Sequence, residues 1–141
     1  MKPSITLITW LTIIFIKAGI DWYTIEKKKK SPFHKIGITL MAGIAILHGI
    51  YIAQIRESGD YAIATFLVYT CTYWAFFDAL LNKMRGKELF YIGEHDTEVE
   101  NAGSDELFQR LGKPSYIISK VVALGLAIVG FYIMIQEHGH S

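Results

Sequence analysis

The sequence has little charge and little cysteine. Asp, Glu, Lys and Arg make up 19% of its 141 residues, against about 25% in typical soluble domains. The net charge of +1 lacks the basic excess of a nucleic-acid-binding domain, so we expect no nucleic-acid partner. One cysteine excludes an internal disulfide, and a hydrophobic fraction of 52% excludes a disordered chain. The length predicts a single domain, residues 1–141.

Charged residues are sparse in four long windows. Residues 36–55 contain no Asp, Glu, Lys or Arg, and a helix of about twenty residues crosses a bilayer core. The other windows hold only one or two charges each, and all are apolar nearly all round, whereas a soluble bundle helix keeps a polar stripe. We therefore predict an all-α fold, a four-helix transmembrane bundle, over a soluble bundle of buried helices. The spans are expected at about residues 5–25, 36–55, 61–82 and 115–136.

The first window resembles a signal peptide in length alone. Lys17, Asp21 and Trp22 follow its apolar stretch, where a cleavage site would require small residues. We therefore interpret it as a membrane span.

Positive charge lies on one side of these spans. The loops at residues 26–35 and 83–114 carry ten Lys and Arg, whereas only Lys2 and Arg56 lie on the other side. Because Lys- and Arg-rich loops stay in the cytoplasm, both termini should face outward from a cytoplasmic or inner membrane.

The third loop contains signals for a short helix. Ser104 is a candidate N-cap with acidic residues after it, and Gly112 followed by Pro114 is a stop signal. Leu107, Phe108 and Leu111 fall on one face between these signals. We predict a short amphipathic helix at the membrane surface.

Rows of small residues indicate helix contacts. Close approach of backbones is a main way in which helices associate in lipid. The second span carries Ala45, Gly49 and Ala53 at four-residue spacing. The fourth span carries Ser119, Ala123 and Ala127 at the same spacing. We predict that both rows are contact surfaces, within the bundle or between protomers.

Polar residues inside the spans, four of them charged, form a predicted polar layer of Lys17, Asp21, Asp78, Asn82 and Lys120. At 1.5 Å per residue the charged members lie about 6–12 Å from the cytoplasmic span ends. A charge in hydrocarbon costs at least about 2.5–3.5 kcal/mol unless it is relieved. The four charges sum to zero, so they either neutralise one another as structural contacts or form a proton- or ion-handling site.

The direction of each side chain divides the charged residues into those that can reach water and those that need a partner within the protein. Helical side chains lean toward the helix N-terminus. The fourth span begins at the cytoplasmic side, so Lys120 should lean out of the membrane toward water. Lys17 and Asp78 lean inward and need partners, Asp21 for the first and Lys17, Lys120 or Asn82 for the second. A helical wheel places Trp10 with Lys17 and Asp21, and Trp74 with Asp78 and Asn82; we expect these two sides to meet.

Two further groups are weaker candidates. His48 lies about 20 Å from the cytoplasmic span end, and is either hydrogen-bonded to a neighbouring helix or a titrating relay. Asp21, His34, Asp78 and His95 could ligate Mn, Fe or Zn at the cytoplasmic surface, but no known motif spacing supports this, and no cofactor is predicted.

The sequence therefore predicts a non-catalytic helix-bundle subunit that assembles in the bilayer with itself or with a partner membrane protein. The first alternative is an oligomeric transporter or pore for ions, protons or small solutes, which would use Lys17, Asp21 and Asp78. The second is a metal-dependent enzyme at the cytoplasmic face.

Overall fold

The structure, a computed structural model, describes residues 3–27, 34–56, 59–92, 108 and 110–139. Within these ranges the chain forms four long helices: α1 (Pro3–Glu26), α2 (His34–Arg56), α3 (Gly59–Met84) and α4 (Lys113–Gly139). Each helix coincides with one charge-poor window, so the prediction of an all-helical fold is confirmed for the described residues.

Three of these helices are long and apolar enough to cross a membrane: α1, α3 and, in α4, Lys113–Glu137. In α2 the apolar stretch that the structure describes is shorter, Thr39–Tyr51. The fourth span therefore remains a prediction from the sequence.

Helix α3 lies at the centre of the packing. It packs against each of the other three helices, most extensively against α4, and α1 also touches α4. Within the described ranges α2 contacts α3 alone. The core contains Trp10, Ile14, Tyr61, Val68 and Met134, all nearly inaccessible. The arrangement is thus a three-helix cluster of α1, α3 and α4, with α2 against the free side of α3.

Glycine allows α4 to approach α3 closely. A Cβ atom on Gly130 would lie 3.0 Å from the carbonyl oxygen of Ala64 and 3.1 Å from Val68 Cγ2. One on Gly49 of α2 would lie 3.6 Å from the carbonyl oxygen of Ala62. The backbones of α2 and α4 therefore both approach α3 at glycine positions.

Two glycines with positive φ lie at the borders of the third loop. Gly86, at φ 69°, follows α3: its N–H donates to the Lys83 carbonyl, and the Lys87 N–H donates to the Asn82 carbonyl. This pair of bonds satisfies terminal helix carbonyls as a Schellman motif does. Gly112, at φ 84°, donates its N–H to the Phe108 carbonyl.

Only part of the predicted surface helix can be described. Phe108, Arg110 and Leu111 are helical and end at Gly112, the predicted stop. Residues 104–107 and 109 lie outside the described part of the structure, so the full helix stays a prediction.

Candidate functional site

The ion pair between Lys120 and Asp78 joins α4 to α3. Lys120 Nζ donates to Asp78 Oδ2 at 2.6 Å and also to the Trp74 carbonyl. Lys120 is only 4% exposed. The expectation that Lys120 reaches outward to water is therefore wrong, because partners on α3 satisfy its ammonium group inside the bundle.

Aromatic rings enclose this pair. Lys120 Nζ lies 4.0 Å from the ring centroid of Trp74 and 4.8 Å from that of Tyr116, both within cation–π range. The Tyr116 hydroxyl donates to Asp78 Oδ2 at 3.1 Å. Phe108, from the third loop, packs against Trp74 and Tyr116 with centroid distances of 5.8 and 5.2 Å. The lysine charge is thus met by a carboxylate, a carbonyl and two aromatic faces.

The second ion pair lies within α1. Lys17 Nζ donates to Asp21 Oδ2, one helical turn away. Asp21 is buried, whereas the Lys17 side chain is 18% exposed, and Lys17 Nζ lies 5.2 Å from the ring centroid of Phe77 on α3. The four charges therefore form two pairs, one within a helix and one between helices.

Asn82 belongs to the end of α3 rather than to either ion pair. Its side-chain amide donates to the carbonyls of Leu89 and Tyr91, at 3.3 and 3.0 Å, and so fastens the start of the third loop against the helix. Nearby, Arg85 pairs with Glu26 of α1 at 3.4 Å. These contacts hold the α3 end to the loop and to α1.

A third lysine pair lies outside the helices' apolar segments. Lys113 Nζ donates to Glu88 Oε2 at 2.5 Å, and both side chains are more than half exposed. This hydrogen bond and the lysine charge lower the pKa of Glu88 from its ordinary value of 4.5. The bond joins the third loop to the start of α4.

His48 binds Tyr69, a residue that sequence reasoning did not single out. The Tyr69 hydroxyl and His48 Nδ1 are 2.6 Å apart. Trp10 Nε1 donates to the Tyr69 carbonyl at 2.9 Å, and the Trp10 and Tyr69 rings stack with centroids 4.2 Å apart. Tyr69 thus connects α1 and α2 to α3, and His48 contacts a neighbouring helix as one of its two interpretations requires.

We expected the polar sides of α1 and α3 to face each other. The α1 side is buried in the bundle as expected, but the α3 side faces α4. Trp10 and Asp21 are buried as the wheel suggests. On α3, however, Trp10 stacks on Tyr69, while Trp74 and Asp78 bind Lys120 of α4. The polar side of α3 faces α4 because α4 supplies the cation that Asp78 needs.

The small residues expected to form contact surfaces lie as follows. Ala45 and Gly49 of α2, and Ala123 and Ala127 of α4, are buried. Ser119 is half-buried, and its hydroxyl donates to the Tyr116 carbonyl at 2.7 Å. The side chain of Ala53 lies outside the described part of the structure.

The metal hypothesis has no described ligand cluster. Among the described residues no three His, Cys, Asp or Glu side chains come close enough to hold a metal. Asp21 and Asp78 each bind a lysine. His95 and the side chain of His34 lie outside the described part, so the four-residue metal site stays a prediction.

An apolar groove of about 240 Å³ opens between α1, α3 and α4. No member of the predicted polar layer lines it. Its lining residues are Leu7, Leu11, Val68, Thr72, Phe76, Leu124, Ala127, Ile128 and Phe131. The apolar lining of this groove suits a hydrocarbon chain, and no charged side chain lines it to bind an ion.

Comparison of this chain with protein-family models, with curated proteins and with solved structures found no match. The functional interpretation therefore depends on the geometry described above.

Proposed function

We propose that this chain is a small multi-pass membrane protein, with four spans, both termini outside and the loops at residues 26–35 and 83–114 in the cytoplasm. The apolar length of α1, α3 and α4 supports this. So do the large apolar side chains on their outer faces and on α2; Ile8, Leu47 and Val121 are 64%, 69% and 63% exposed. Soluble monomers rarely expose contiguous apolar surface on this scale. The lysine-rich loops support the orientation.

Within the membrane the protein acts as a non-catalytic helix-bundle subunit. The observation that carries this proposal is the burial of Lys120 against Asp78, between α4 and α3. A catalytic or transport carboxylate must meet a substrate or ion. Asp78 instead binds Lys120 and Tyr116 of its own chain. The Lys120–Asp78 pair thus serves helix association.

The subunit assembles with itself or with a partner membrane protein through its outer helix faces. Gly43 of α2 and Gly125 of α4 support this, because a Cβ atom added at either would meet no other atom within 4 Å. Another helix can approach such positions closely.

Two-tag co-expression combined with native mass spectrometry tests the proposal. Two differently tagged copies of the chain are expressed together and extracted in mild detergent. Recovery of both tags together, or of a second membrane protein in fixed stoichiometry, is the expected result. A monomer that carries no partner would contradict the proposal.

The same preparation tests the two alternatives. A bound metal, detected by mass, would favour the enzyme. Ion flux through proteoliposomes that Lys17→Met abolishes would favour the transporter. A matched outer-face variant, Val121→Met, should leave flux unchanged, because Val121 lies on the exposed surface of α4.

A further inference from the structure

The apolar groove between α1, α3 and α4 is long relative to its volume. It holds about 240 Å³, and its lining on α3 extends from Val68 to Phe76, a distance of about 12 Å along the helix. That volume over that length accommodates a single extended chain. A further helix, about 10–12 Å in diameter, does not fit.

The groove has no side-chain hydrogen to donate to a polar ligand. Among its lining residues only Thr72 has a polar side chain, and the Thr72 hydroxyl donates to the Val68 carbonyl one turn earlier on α3. A charged or strongly polar occupant would therefore lose its hydrogen bonds to water without gaining replacements. Apolar cavities stay dry and take up apolar ligands, so this lining selects hydrocarbon.

The groove opens to the outer surface of the bundle. Leu11, Phe76 and Ile128, which line it, are 37%, 43% and 62% exposed. Thr72 and Ala127, each only 4% exposed, form its floor. In the membrane placement proposed above, the outer surface faces lipid, so the hydrocarbon of the bilayer has access to this floor.

The depth of the groove determines which part of a lipid can enter it. The 26 residues of α3 extend about 39 Å, and the groove lies between about 14 and 26 Å along that length. It is therefore at the middle of the bundle. At that depth a bilayer offers acyl chains, because its headgroups lie at the two faces of the hydrocarbon core.

We propose that the apolar groove is a binding site for one acyl chain of a membrane phospholipid. The bound chain packs between α1 and α4, which contact each other less extensively than either contacts α3. Its methylene groups supply dispersion contacts that the walls of an unfilled groove would lack. The site rests on the membrane placement of the proposed function and not on assembly with a partner.

Solid-state NMR in phosphatidylcholine bilayers tests the site on the unmodified chain. Magnetisation transfer from acyl-chain protons should reach the methyl groups of Thr72 and Ala127 nearly as fast as those of Val121, which is 63% exposed on α4. Thr65 and Ala64 are the matched controls, because both are 0% exposed and neither lines the groove; transfer to them should be much slower. If Thr72 and Ala127 are as slow as these controls, the groove is empty or filled by side chains of a second copy or partner, and the proposal is overturned.

The variant Ala127→Leu tests the site by filling its floor. Native mass spectrometry of protein released from phosphatidylcholine nanodiscs should find one bound phospholipid fewer per chain than for the unmodified protein. Val121→Leu is the control, because it adds the volume on the exposed face of α4, outside the groove, and should keep that lipid. Equal lipid retention by the two variants would overturn the site.

The Val121 signal separates failure of the groove site from failure of the proposed function. If Val121 receives no magnetisation from acyl chains, the chain does not lie in the bilayer, and both proposals fail together. Fast transfer to Val121 with slow transfer to Thr72 and Ala127 would overturn the acyl-chain site alone.

Discussion

The two lysine–aspartate pairs of the helix bundle have the same chemistry and different connections. Lys17 and Asp21 lie one turn apart on α1. Lys120 and Asp78 lie on different helices, and Tyr116, Trp74 and Phe108 surround them. The first pair remains neutral whether or not α1 contacts the other helices. The second is neutral only while α3 and α4 remain together.

This difference determines which pair stabilises the fold. Helices separated within a membrane remain helical, so the reference state for association keeps contacts within one helix and loses those between helices. The Lys17–Asp21 pair therefore survives separation, whereas the Lys120–Asp78 pair is lost. Only the second should contribute strongly to the association of α3 with α4.

Removing the between-helix cation should have the largest effect. In Lys120→Met the carboxylate of Asp78 keeps the Tyr116 hydroxyl but loses its counter-ion. Breaking one side of a fully buried pair costs about 3–5 kcal/mol, and we expect a loss near the lower end of that range because the Asp78 side chain is 31% exposed. Reversible unfolding in mixed micelles, followed by circular dichroism or tryptophan fluorescence, measures the loss.

A double variant separates lost attraction from stranded charge. Replacing both members, Asp78→Leu with Lys120→Met, should recover most of the stability, since an apolar pair often replaces a buried ion pair at little cost. If Lys120→Met alone costs less than about 1 kcal/mol, the usual value of an exposed ion pair, the pair does not hold α3 to α4.

Steric contact at the same interface gives the next largest effect. Gly130→Ala places a Cβ atom 3.0 Å from a backbone oxygen of α3, so the contact must open by a few tenths of an ångström. Overpacking of this kind costs about 1–3 kcal/mol. The same unfolding assay applies.

Gly19→Ala, within α1, is the matched control. Its Cβ would meet no other atom within 4 Å, so stability should change by no more than about 0.5 kcal/mol. Equal effects of the two substitutions would show that α4 does not approach α3 at Gly130.

The sequence was sufficient for the helices and for the ion pair within α1. The charge-poor windows coincide with all four described helices, because apolar length dominates the choice of structure in a membrane. Pairing of Lys17 with Asp21 was readable because it needs only helical spacing.

Contacts between helices could not be predicted in the same way. The tilt of helical side chains toward the N-terminus predicts that Lys120 points to water, yet Asp78 and the Trp74 carbonyl bind it inside the bundle. The direction of a side chain follows from its own helix, whereas the groups that bind Lys120 belong to α3 and cannot be predicted from α4 alone. Tyr69 was missed because only Lys, Asp and His were located by counting residues from the span ends. The same count places Tyr69 about 20 Å from the end of its span, similar to His48.

Removing the cation within α1 should have a smaller effect than Lys120→Met. In Lys17→Met, Asp21 loses the lysine in both the folded bundle and the separated helix, so most of the penalty cancels. We expect a loss of about 1 kcal/mol or less in the unfolding assay. A loss as large as that of Lys120→Met would mean that Lys17 also holds α1 to α3, for instance through the Phe77 ring.

The exposed pair of Glu88 and Lys113 should have the smallest effect, and its effect depends on pH. Lys113 lowers the pKa of Glu88, so the carboxylate stabilises the folded state above the unfolded pKa near 4.5. That contribution disappears as the pH falls through the lower pKa of the folded protein. NMR titration should find the Glu88 pKa below 4.5, and Lys113→Met should return it to its ordinary value. Added salt should raise this pKa, since exposed charges are screened by ions. A Glu88 pKa unaffected by salt or by Lys113→Met would mean that the two side chains do not pair in solution.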